Sequence, residues 1–265
     1  MNSHIKPLLK YARYFITASN GKGHGIHSPF VFHFIQQVLN DKTNYPEYKM
    51  VEDLRHSLLE DSRVIFVKDL GAGSAITNSA RRSVASIVKN AAKPPRYAQL
   101  LFRMVRFFKP ANIIELGTSL GITTSYLALA NAAASIITLE GAPMVIELAK
   151  KNFERLSIKN IQVVDGNFDE KLPPLIELST KMDFVFIDGN HLQQPTERYF
   201  SWLLKKATND TVLVFDDIHW SDEMEAAWKT IQQHPAVTAT IDLFFIGIVF
   251  FRKEFRQKEH FIIRF

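Results

Sequence analysis

Beyond Pro110 the chain alternates short apolar runs with helical patterns, and this alternation limits the fold more than any other feature. The runs are Ile113–Leu116, Ser135–Leu139, Ile161–Val164, Phe184–Ile187 and Thr211–Phe215, all rich in β-branched or aromatic residues. Between them, Thr123–Asn131, Pro143–Leu156, Leu172–Leu178 and Thr196–Lys206 carry apolar residues at helical spacing. Uninterrupted apolar strands separated by helices predict a parallel sheet covered by helices on both faces. Two further runs, Val237–Phe244 and Ile246–Arg252, follow too closely for a helix to intervene. They are expected to form an antiparallel pair on the sheet edge.

The first 110 residues read differently. Ser28-Pro29 has the form of a helix start, with Ser28 as N-cap and Pro29 in the first turn. Phe30, Val31, Phe34, Ile35 and Val38 continue it at helical spacing, predicting a helix over about 28–39. Further helices are expected over 47–60, from Ser79 to Asn90 and over 97–108. The Asp69–Ser74 segment, with glycines at 71 and 73, has the look of a nucleotide-binding turn. No second strand ending in an acid follows it, so it reads as a loop between helices. His24 and His27, three apart, could bind a metal or belong to a substrate lid, but a lone pair reads more often as a turn and a cap. The organisation expected is a basic helical extension, residues 1–95, ahead of an α/β core, residues 96–265.

Charge divides along a similar line. Residues 1–110 hold 17 Lys and Arg against 7 Asp and Glu, and residues 111–265 hold 15 against 20. A basic front half suits either docking on the acidic half or an anionic partner. There is no cysteine, which excludes disulfides, thiolate metal sites and cysteine nucleophiles. No stretch approaches the roughly 18 apolar residues of a membrane span, and Met1–Lys10 lacks a signal-peptide h-region. A cytoplasmic location without a membrane partner is the expectation.

Open parallel sheets bind ligands beyond the carboxyl ends of their strands. The first run leads into Glu115-Leu-Gly117-Thr118-Ser119-Leu-Gly121, whose glycines let a ligand approach the backbone. The second ends in Glu140-Gly141, an acid placed to accept both hydroxyls of a ribose. The third gives Asp165-Gly-Asn167, with an amide for an adenine edge. The fourth gives Asp188-Gly-Asn-His191 and the fifth Asp216-Asp217-Ile-His219-Trp220.

In this order these motifs resemble the class I S-adenosylmethionine (SAM)-dependent methyltransferases, over about residues 96–265. The resemblance implies a Rossmann-like α/β sheet, mostly parallel with an antiparallel last strand. It also implies SAM binding by Glu115, Gly117, Thr118, Ser119, Gly121, Glu140, Gly141, Asn167 and Asp188. Within that class the pattern is similar to the metal-dependent O-methyltransferases of the catechol and caffeoyl-CoA type, and to sugar O-methyltransferases with Asp-Gly-x-His. That likeness implies Mg2+ or another divalent cation at Asp188, Asp216 and Asp217, with aspartate standing at 217 where the catechol type has asparagine. Three carboxylates suit a hard cation. His191 occupies the place of that type's catalytic lysine and is expected to act as general base, beside Asp188.

The implied reaction is O-methylation of a small hydroxylated substrate. A nicotinamide dehydrogenase fits less well, because the glycines stand four apart at 117 and 121. Base methylation of nucleic acid lacks an Asn/Asp-Pro-Pro-Tyr/Phe motif after the fourth strand. A degenerate SAM-binding or interaction module, or nucleic acid held by the basic front half, are the alternatives. Gly121, Asn167, Asp216-Asp217 and His191 each also have a purely structural reading, as packing, capping or loop-orienting residues. His219 and Trp220 read as pocket wall or packing rather than chemistry. The terminal His260–Phe265 stretch is expected to dock on the core or on a second copy in a homo-oligomer.

Overall fold

A computed structural model describes residues 5–67 and 81–265 of the chain. The glycine-bearing Asp69–Ser74 segment lies outside the described residues. In chain order the elements begin with α1 (Ile5–Thr17), α2 (Pro29–Phe34) with a π-helical turn at Ile35–Leu39, α3 (Pro46–Leu59), β1 (Val64–Phe66) and β2 (Arg81–Ser83). There follow α4 (Val84–Ala91), α5 (Pro95–Phe108), β3 (Asn112–Leu116), α6 (Ile122–Ala130), β4 (Ser135–Glu140), α7 (Pro143–Arg155) and β5 (Ile161–Asp165). The remainder is α8 (Phe168–Leu178), β6 (Phe184–Ile187), α9 (Gln193–Leu204), β7 (Val212–Asp216), α10 (Asp222–Gln233), β8 (Ala239–Asp242), β9 (Ile246–Phe250) and β10 (Glu259–Ile262).

These elements fall into two compact units. One is the continuous segment Lys42–Leu178; the other joins Met1–Asp41 to Ser179–Phe265. In the continuous unit β3, β4 and β5 are parallel neighbours, with Leu116 opposite Leu139 and Glu140 opposite Asp165. That register brings the residue after β3, Gly117, alongside Glu140. Helix α5 packs on α6, and α3 packs on both α4 and α6. Tyr48, Phe102 and Tyr126 interlock there edge to face, at ring separations of 5.0–6.3 Å.

The discontinuous unit orders its strands β10-β8-β9-β7-β6. β6 and β7 are parallel, and every residue in both is buried. β9 runs antiparallel to β7 and to β8, the pairing expected of the last two runs. One strand more than expected, β10, lies outside β8 and parallel to it. The terminal stretch thus docks on its own chain.

Local sequence explains most boundaries. Ser28 accepts a hydrogen bond from the Val31 N–H, and Pro29 opens α2. Ser221 does the same for Met224 at the start of α10. The expected helix from Ser79 needs correction: Arg81–Ser83 is extended and pairs antiparallel with Val64–Phe66. The helix begins only at Val84, because Ser83 caps it by accepting from the Ser86 N–H at 3.2 Å.

Candidate active site

The acidic residues at the strand ends sit where parallel strands deliver them. In the continuous unit, Glu140 closes β4 and its carboxylate is held by three backbone donors. Ser119 N–H reaches Oε2 at 2.9 Å, while Gly141 and Ala142 reach Oε1 at 2.9 and 3.1 Å. The Ser119 bond requires the chain to fold back after β3, which it does through left-handed turns at Gly117 (φ 107°) and Ser119 (φ 47°). Gly117 and Thr118 N–H both donate to the Leu139 carbonyl, at 3.0 and 3.2 Å, and so fasten the turn to β4. The result is an ionisable carboxylate fixed beside a glycine turn at the start of α6.

Glu115 is fully buried and accepts from the hydroxyls of Thr124 and Thr138, at 2.5 and 2.6 Å. Thr118 in turn pairs with Thr138 through their hydroxyls at 2.6 Å. Thr124 and Thr138 are the part of this arrangement that sequence reasoning missed. A threonine inside an apolar strand, as at Thr138, is the signal that marks a buried polar partner. Gly121 is the N-cap of α6 in a left-handed conformation, φ 77°, and packs against Phe153. Asn167 accepts from the Asp169 N–H at 2.9 Å, and so caps the first turn of α8.

In the other unit, β6 and β7 pair with Ile187 opposite Phe215, so the next residues, Asp188 and Asp216, come side by side. Asp188, His191 and Asp216 each offer a ligand atom, and these atoms lie within 4.8 Å of one another. His191 Nε2 stands 3.7 Å from Asp188 Oδ1. Asp216 is 1% exposed, whereas Asp188 and His191 are half-buried. Asp217 is not one of this group. It adopts a left-handed conformation, φ 53°, and its N–H donates to the Phe245 carbonyl at 2.6 Å.

Two carboxylates and an imidazole converging at this separation fit a divalent cation. The same donors would suit Mg2+ through the carboxylates, or a softer ion through the imidazole.

His219 has a different part. Its Nε2 faces Asp242 Oδ2 at 2.8 Å and its Nδ1 faces Glu225 Oε1 at 2.9 Å, while its ring stacks on Phe244. Lys10 of α1 bonds Asp222 and Glu225, both at 2.9 Å. Burial pulls the His219 pKa down, but the hydrogen bonds and charges of Asp242 and Glu225 outweigh it and raise the pKa. A raised pKa contributes stability that is whole below the unfolded value of about 6.5 and is lost as pH rises through the folded value. Urea midpoints measured from pH 6 to pH 9 are therefore expected to fall further for the native chain than for His219→Asn. Parallel curves would remove His219 as the cause.

Residues 114–218 match the family model of a methyltransferase domain. A catechol O-methyltransferase of Niastella koreensis is 30% identical over 147 residues, 54% of this chain and 64% of that protein. A protein-L-isoaspartate O-methyltransferase of Pyrococcus abyssi is 23% identical over 122 residues, 46% of this chain and 55% of that protein. The chain thus spans less than two thirds of the length of these curated relatives. Among solved structures, an O-methyltransferase from Bacillus cereus in complex with SAH superposes with TM-score 0.56 at 20% identity, covering 83% of this chain and 97% of that one. The O-methyltransferase TomG of Streptomyces achromogenes, in complex with SAM, gives 0.54 at 18% identity, covering 62% and 82%. At these identities the structures show a shared fold. In fold, strand-end motifs and sequence the chain is similar to class I S-adenosylmethionine-dependent methyltransferases, with O-methyltransferases among its relatives and structural neighbours.

Proposed function

We propose that this chain transfers the methyl group of SAM to a hydroxyl oxygen of a small substrate, assisted by a divalent cation. The observation that carries the reading is the convergence of Asp188, His191 and Asp216 at the ends of β6 and β7. Asp188 and Asp216 would hold the cation. When bound, such a cation lowers the pKa of a hydroxyl beside it. His191 would accept the hydroxyl proton on a ring nitrogen, a task that suits an imidazole near neutral pH.

SAM, when bound, supplies a methyl group on a positively charged sulfur. Glu140 is the residue for its ribose hydroxyls, because the three backbone donors fix the carboxylate in place before any ligand arrives. The turn at Gly117–Ser119 and Gly141 would approach the cofactor through the backbone, and Asn167 would meet the adenine. Glu115 would act by holding Thr124 and Thr138, and with them the turn. Much of the rate gain in such a transfer comes from alignment of the reacting atoms. A small hydroxylated acceptor is the substrate class, as the name of the Niastella koreensis relative suggests.

Calorimetric titration of SAM tests the foundation of this reading. Micromolar binding is expected for the native chain, weakened by at least about tenfold in Glu140→Ala, the cost of losing hydrogen bonds to a charged group. Glu140→Gln, which keeps one acceptor oxygen, should fall between them. Thermal melts of all three establish that each is folded. No SAM binding by the folded native chain, or equal binding by Glu140→Ala, would overturn the assignment.

A further inference from the structure

The apolar face of α1 is turned the wrong way for a helix that belongs to a core. Leu8, Leu9, Ala12, Phe15 and Ile16 recur at the spacing of one helical face, and all five are exposed. Leu8 is 68% and Ile16 78% exposed. The helix is fastened by its other side. Lys10 reaches Asp222 and Glu225, Tyr14 is buried against Phe244, and the Tyr14 hydroxyl donates to the Ile263 carbonyl. Exposing this many large apolar side chains together is costly unless something covers them.

We infer that this face of α1 docks on the surface of an anionic lipid bilayer. Charge supports that occupant. Residues 1–40 contain four Lys and Arg and no Asp or Glu, and one of the four, Lys10, is paired with Asp222 and Glu225 on the opposite side. Arg13 is exposed on the flank of the apolar face, and the Arg264 guanidinium lies over the Phe15 ring at 4.4 Å from its centroid. Tyr11 and Phe245, both partly exposed, border the same face, with ring centroids 6.4 Å apart. An apolar stripe edged by aromatic and basic side chains is the pattern of a helix lying in a membrane interface. A second copy of the chain is disfavoured, because pairing two α1 faces would bring Arg13 and Arg264 of both copies together. Among the described residues no helix is long and apolar enough to cross a membrane, so the contact would be peripheral.

The test is flotation of the full chain with phosphatidylcholine vesicles, with and without phosphatidylglycerol. Binding is expected to be at least about tenfold stronger with the anionic lipid, and to weaken at high salt. Ile16→Glu and Arg13→Ser change exposed side chains and should leave the melting temperature unaltered. Ile16→Glu should reduce binding by at least about tenfold and Arg13→Ser by several-fold. Absence of flotation, equal binding to neutral vesicles, or full binding by Ile16→Glu would each overturn the proposal. So would a concentration-dependent dimer in sedimentation velocity that Ile16→Glu abolishes, since that would assign the face to a second copy. None of these readouts depends on methyl transfer.

Discussion

Replacing Asp216 by asparagine is expected to slow the proposed methyl transfer to a hydroxylated acceptor by about 100- to 1,000-fold, with SAM affinity changed less than about threefold. Asparagine keeps the shape of the side chain, so the effect isolates its charge. Asp216 is 1% exposed at the end of an entirely buried strand, which makes its carboxylate the least hydrated of the converging three groups. A bound cation beside a buried carboxylate offsets the cost of its desolvation. A readout that needs no substrate follows from linkage. A cation that binds only the folded chain stabilises it by about 2.7 kcal/mol at a hundred times its dissociation constant. Saturating Mn2+ or Mg2+ should therefore raise the melting temperature of the native chain and leave Asp216→Asn nearly unmoved. Equal shifts in both proteins, or turnover by the native chain undiminished in chelator, would remove the cation from the mechanism and leave Asp216 a structural residue.

The largest effect on stability is expected at Gly121. A Cβ built there would lie 2.5 and 2.6 Å from two ring carbons of Phe153, and the residue sits at φ 77°. Phe153 is itself buried in α7, so the ring has little room to yield. Left-handed strain and overpacking together should cost Gly121→Ala about 3 kcal/mol. For a chain of this size that corresponds to a fall in melting temperature of roughly 6–12 °C. The two causes can be separated. Gly121→Ala combined with Phe153→Leu removes the steric part, and the double variant should be more stable than the sum of the single changes predicts. Strict additivity would mean that Phe153 is not what Gly121 accommodates. This contact also explains the spacing of the two glycines: Gly117 makes the turn, while Gly121 clears a path for a ring.

The central strands are legible in the sequence because burial on both faces writes them as unbroken apolar runs, as in Phe184–Ile187. β10 has no such signature. Its residues Glu259, His260, Phe261 and Ile262 alternate between half-buried and exposed, as on a strand at an edge. β2 is Arg-Arg-Ser, and only pairing with Val64–Phe66 makes it a strand. Among the site residues, strand-end position is readable, which is why Asp188 and Asp216 stand out. The difference between Asp217 and His191 is not readable, because it follows from single backbone angles after each strand. The orientation of α1 was equally hidden. Helical spacing shows that an apolar face exists, but the ion pairs from Lys10 to residues more than 200 positions away decide which face turns outward.

The make-up of the two units sets an order of events during synthesis. Lys42–Leu178 is one uninterrupted segment, so every residue that packs within it has been synthesised before Ser179. The first 41 residues must wait longer, because the groups they pack on lie between Ser179 and Phe265. Ser19, for instance, pairs with Ile263. Joining the two segments closes a loop as long as the whole continuous unit, at an entropic cost of about 4 kcal/mol if that loop were still flexible. Prior folding of the continuous unit shortens the effective loop and lowers that cost. Until then the buried aromatic residues of α1 and α2, Tyr14 and Phe34 among them, are exposed on the nascent chain, which is the interval in which a chaperone would be needed.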